Sequence, residues 1–82
     1  MKYKPVNCGF YDHFEAAITL RKKVQIEAID EQGQKIHLTT KPIDLLLENR
    51  EEFLILENKQ KIRLDHIVSF DGVVNPGTSC GI

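Results

Sequence analysis

The sequence has no tryptophan, one methionine, two cysteines and three prolines, and aromatic residues make up 7% of its 82 positions. So few rings make a poor stacking platform for single-stranded nucleic acid. The cysteines, Cys8 and Cys80, have neither CxxC nor Cys/His spacing, which excludes an ordinary zinc site. His13, His37 and His66 are dispersed, no nucleophile-elbow glycines surround Ser69, and no glycine-rich loop could cradle a nucleotide, so neither an enzyme nor a bound cofactor or metal is expected. The longest apolar runs are Leu45-Leu46-Leu47 and Phe53-Leu54-Ile55-Leu56, far below the roughly 18 residues of a membrane span. Met1-Lys2-Tyr3-Lys4-Pro5 lacks an apolar export segment, so the expectation is a cytoplasmic chain with both thiols reduced. Neither sign of charge dominates: 11 Lys and Arg face 12 Asp and Glu, for a net charge of −1. A protein whose main task is gripping phosphates needs more cations than that.

What is present is enough apolar residue, 41%, for one small core. Charge is unevenly spread along the chain. Residues 1–23 hold five cations and two acids, whereas residues 24–82 hold six cations and ten acids.

Residues 11–20 carry a helical pattern. Phe14, Ala17 and Ile18, with Phe10 one turn earlier, form an apolar stripe. Asp12 and Glu15 match a D-x-x-E start signal, in which Asp12 would accept from the amide of residue 15. From Lys22 the period becomes two. Val24, Ile26 and Ala28 alternate with polar residues, Glu31-Gln32-Gly33 is a turn, and Ile36 and Leu38 lie on a returning strand that Pro42 ends. Residues 43–50 read as a helical turn plus loop, Phe53–Leu56 as a strand covered on both faces, and Asn58-Lys59 as a turn into Lys61–Leu64. Residues 66–70 are the last strand, and 72–82 a flexible tail rich in glycine. One helix and about five short strands make an α+β pattern. Closing those strands into a small barrel removes exposed edges.

Tyr3-x-Pro5-Val6-Asn7-Cys8-x-x-Tyr11-Asp12-x-x-Glu15-x-Ala17 resembles the N-terminal signature of the Rof (YaeO) family of Rho-binding antiterminators. Arg63-Leu64-Asp65-x-Ile67-x-Ser69-Phe70 is similar to that family's last strand pair. The resemblance spans about residues 3–71 and implies a single domain over 1–71: an N-terminal helix followed by a small five-stranded antiparallel Sm-like barrel. It also implies a monomer that binds the hexameric termination factor Rho, competes with RNA at Rho's primary RNA-binding site and so inhibits termination. The contact residues it implies are Tyr11, Asp12 and Glu15 on the helix, with Asn49 and Arg50 in the loop before the third strand. Gly9 and Phe10 depart from the pattern, standing where acids are expected, which thins the acidic patch.

Fixed carboxylates can stand in for phosphates at a cationic site through charge-assisted bonds to arginine. Tyr11 adds the kind of aromatic residue that protein interfaces favour. The same acids also make sense as a capping box, and Cys8 as a small buried apolar group. A different class of function is direct binding of single-stranded RNA by an Sm-like barrel, using Arg21, Lys22, Lys23 and His37. Edge-to-edge pairing of barrels into a ring is a third.

Overall fold

The computed structural model describes residues 6–76. Helix α1 spans Cys8–Leu20, three residues longer at its start than the apolar stripe indicated. Asn7 is its N-cap: Asn7 Oδ1 accepts the Gly9 amide at 2.8 Å, and the Asn7 carbonyl accepts the Tyr11 amide at 2.9 Å. The first turn holds no acid, so the capping box expected at Asp12 and Glu15 does not form. The helix ends where Arg21 turns left-handed (φ 54°) and the Lys22 amide reaches back to the Ala17 carbonyl, a common helix stop.

Among the described residues seven strands follow: β1 Val24–Ile29, β2 Lys35–Thr40, β3 Pro42–Glu48, β4 Glu51–Leu56, β5 Lys61–Arg63, β6 Ile67–Phe70 and β7 Val73–Val74, with a 3-10 turn at Leu64–His66. They form two antiparallel sheets, in the orders β2-β1-β6-β7 and β3-β4-β5. The α+β class holds. A single closed five-stranded barrel does not, because the ladder breaks at two places. Thr40 ends β2 and Pro42 begins β3, so the chain turns a corner at Lys41. The Glu57 carboxylate holds that corner, accepting from the Lys41 amide at 3.2 Å, while the Glu57 amide donates to the Lys41 carbonyl at 2.9 Å. The second break is the turn at Leu64–His66, which returns the chain to the first sheet.

The segment expected as a helical turn, residues 43–50, is instead β3 and its hairpin. Three consecutive leucines suit a helix locally, but pairing with β4 from Pro42↔Leu56 to Glu48↔Glu51 overrides that preference. Pro42 begins this strand rather than ending the one before it, a position where its missing N–H breaks no ladder bond. β4 is not covered on both faces: Leu54 and Leu56 are buried, whereas Phe53 and Ile55 are half-buried. Part of the stretch expected as a tail is β7, which pairs with β6; the Asn75 side chain also donates to the Ile67 carbonyl at 2.8 Å. Residues 77–82 of that stretch lie outside the described residues.

The core gathers α1 and both sheets. Phe14, fully buried, meets Phe10 and Phe70 edge to face at centroid distances of 5.0 and 4.7 Å. Ile26, Leu54, Leu64 and Ile67 surround this aromatic centre. At the β1–β2 turn, Asp30 Oδ1 accepts the amides of Gln32 and Gln34, and Gly33 takes φ 81°. Cys8 departs from expectation twice, being exposed and disulfide-bonded; Cys80 is outside the described residues. Among the described residues, no helix is long and apolar enough to cross a membrane.

Candidate functional site

Since Asn7 caps the helix, Asp12 and Glu15 are free for another task. Both are exposed on α1, while Tyr11 beside them is half-buried, and neither acid hydrogen-bonds or ion-pairs with another described residue. At 3.6 residues per turn, Tyr11 and Glu15 lie about 40° apart around the helix, with Asp12 about 60° further round. Phe10, Phe14 and Ala17 occupy the opposite, buried side. Phe10 is 2% exposed, so an acid there would point into the core. Its apolar identity follows from packing, not from erosion of an acidic patch.

The Tyr11 hydroxyl lies within the field of the Glu52 carboxylate. Desolvation raises the Tyr11 pKa above its ordinary 10.0, and the negative charges of Glu52 and Glu15 raise it further. Glu52 was not singled out in the sequence, where it sits in an acidic cluster with Glu48 and Glu51. Strand alternation separates these three. In β3 and β4, Leu45, Leu47, Glu52 and Leu54 share the core-side face, since Leu45 opposes Leu54 and Leu47 opposes Glu52. Glu48 and Glu51 oppose each other on the other face, where Lys61 Nζ meets Glu48 at 3.0 Å and Arg63 Nη1 meets Glu51 at 3.3 Å. Glu52 is therefore the glutamate turned toward α1. The usable signal was its even spacing from Leu54 and Leu56.

Asn49 and Arg50 form the tip of the β3–β4 hairpin, both exposed, with φ of 52° and 64°. Two successive positive φ values make the turn geometry that matches strand twist. The tip is three residues from Glu52 at Asn49 and two at Arg50. The hairpin and the helix face thus adjoin through Tyr11 and Glu52.

Of the residues proposed for RNA contact, two have acidic neighbours. Lys22 Nζ pairs with Asp71 at 2.7 Å and His37 stands opposite Glu27 on the neighbouring strand, whereas Arg21 and Lys23 are exposed. Glu27 accepts from Ser69 Oγ at 2.8 Å and pairs with Lys35 at 3.4 Å; the Ser69 bond, then Lys35, holds its carboxyl below the usual value. A separate cleft of about 920 Å³ opens between the β1–β2 turn and Phe53, Lys61 and Arg63. Its arginine is committed, since Arg63 Nε and Nη2 donate to Asp65 at 2.6 and 2.9 Å. Among the described residues, no group of His, Cys, Asp and Glu has an arrangement that could hold a metal ion.

The sequence matches a family described as modulator of Rho-dependent transcription termination (ROF) over residues 5–79. This chain belongs to that family. Relatives include protein rof of Escherichia coli and protein rof of Shigella flexneri, each 35% identical over 71 residues, covering 83% of this chain and 80% of the relative. The ROF match includes every residue of the helix face and hairpin tip described above. Modulation of Rho-dependent termination is a regulatory role, and it implies interaction with Rho.

Proposed function

We propose that this chain inhibits Rho-dependent termination by binding Rho through Tyr11, Asp12 and Glu15, with Asn49 and Arg50 at the edge of the contact, and by blocking RNA entry at Rho's primary RNA-binding site. It acts in the cytoplasm as a monomer on the Rho hexamer and competes there with RNA. The observation that carries this proposal is the exposure of Asp12 and Glu15 on a helix whose cap is Asn7. Two carboxylates without a partner among the described residues stand in the open, beside an aromatic residue that faces a third. A site that binds RNA presents Arg and Lys toward phosphates. Carboxylates fixed on a helix meet those cations in charge-assisted bonds, without the entropy loss of ordering a flexible RNA strand.

The test is a titration of purified Rho with wild-type protein, Asp12→Lys and Glu15→Lys, each checked for folding by circular dichroism. Wild type binds, more weakly as salt rises, and displaces labelled RNA from Rho; the charge reversals abolish both effects. If both reversed variants still hold Rho, this helix face is not the contact. If the protein binds labelled single-stranded RNA tightly without Rho, it is an RNA-binding protein instead.

A further inference from the structure

The proposed Rho contact has an apolar neighbour that charge mimicry does not explain. Leu47 is 71% exposed, although it belongs to the core-side row of β3, two residues after the half-buried Leu45. That row runs past the edge of the core, so Leu47 holds a core-facing register with nothing of the core left to cover it. Its Cα partner across the ladder is Glu52, and side chains directly opposite in such a pair stand about 4.5–5.5 Å apart at Cβ. Glu52 in turn is near enough to the Tyr11 hydroxyl for its charge to raise the Tyr11 pKa. Leu47 and Tyr11 therefore flank one carboxylate, with Glu15 on the helix beside Tyr11 and Asp12 further round.

We infer that Leu47 is an apolar anchor of the Rho contact, inserting with the Tyr11 ring between the cations that Glu52, Glu15 and Asp12 engage. This inference rests on the Rho-binding proposal and says what the contacted patch must look like. A single exposed leucine is ordinary on a protein surface. One that stands opposite Glu52, on the sheet face that bears on the helix carrying Tyr11, Glu15 and Asp12, has the layout of an interface centre, apolar in the middle and polar at the rim. The complementary surface offers an apolar recess bordered by Arg or Lys. A site built for single-stranded RNA has this same composition, since it takes the flat faces of bases between cations that hold the phosphates. Leu47 and Tyr11 would then occupy the place of a base, and the carboxylates the places of its phosphates.

The test titrates purified Rho with wild type, Leu47→Ala and Leu47→Met at several salt concentrations, with melting curves for each variant. Leu47→Ala is expected to weaken binding about tenfold at every salt concentration. The slope of log Kd against log salt stays at the wild-type value, because an apolar contact is not screened, and Leu47→Met restores most of the affinity. Unchanged affinity for Leu47→Ala, in an experiment where Asp12→Lys abolishes binding, overturns the anchor and leaves the Rho contact standing. A changed salt slope for Leu47→Ala also overturns it, because the leucine would then act through the charges. Wild-type protein that does not bind Rho at all removes both.

Discussion

The carboxylate of Glu52 on β4 faces the hydroxyl of Tyr11 on α1 and raises its pKa by its negative charge, although 40 residues of sequence lie between the two. The titration of Tyr11 is a direct test. Tyr11 has a folded-state pKa above 10.0. Below the ordinary tyrosine value the group is neutral in both folded and unfolded chains, and its contribution to stability is fully present. As pH rises through the raised folded value, the unfolded chain ionises first and that contribution is lost. In a Tyr3→Phe background, the tyrosinate absorbance should therefore rise later than for free tyrosine. Glu52→Gln, which removes the carboxylate charge, should move the midpoint back toward the ordinary value.

The helix start separates structural acids from spare ones. Asn7→Ala removes the cap that serves the Gly9 amide and should destabilise the domain by about 1 kcal/mol. Asp12→Ala, at an exposed position with no cap to lose, should change stability by no more than about 0.5 kcal/mol. Urea denaturation of the two variants checks both. A larger loss at Asp12 than at Asn7 would restore the capping box.

Ile26 and Leu38 oppose each other across β1 and β2, but Ile26 is wholly buried and Leu38 only half-buried. Ile26→Ala should cost about 2–5 kcal/mol, which threatens the fold of so small a domain. Leu38→Ala should cost about half as much, since part of its surface already meets water. Thermal melts that rank the two the other way would contradict this register.

Arg50 holds a left-handed backbone at the second position of the hairpin turn, φ 64°, where glycine is preferred after asparagine. Arg50→Gly should stabilise the domain by about 0.5–1 kcal/mol in denaturant titration, by relieving that conformation. If the tip contributes to the Rho contact, the same variant binds Rho less well while melting higher. Raised stability with unchanged affinity would remove Arg50 from the contact.

Neutralisation is a gentler probe of the acidic face than reversal. Asp12→Asn and Glu15→Gln keep the shape of each side chain and remove its charge. Each should flatten the salt dependence of Rho binding, and the double variant should flatten it further. Salt slopes equal to wild type would show that these carboxylates meet no cation.

Local pattern carried the helix stripe of Phe10, Phe14 and Ala17, the alternation of Val24, Ile26 and Ala28, and the turn at Gly33. In each, neighbours a few residues apart share one solvent boundary, so the period of burial is written in the chain. The family signature marked Tyr11, Asp12 and Glu15 through residue identity, without the geometry. Tertiary structure decided what pairing over longer separations controls. The leucine run at 45–47 became strand because β4 was there to pair with it, and Pro42 came to begin that strand because Glu57 holds the corner at Lys41. Which glutamate of 48, 51 and 52 faces the helix depended on strand register, and a shift of one residue would have exchanged their faces. The exposed face of α1 likewise emerged only when Asn7 took the cap, because a carboxylate near a helix start is equally suited to holding the backbone or meeting a partner. Packing chose between those two duties, and sequence spacing alone does not distinguish them.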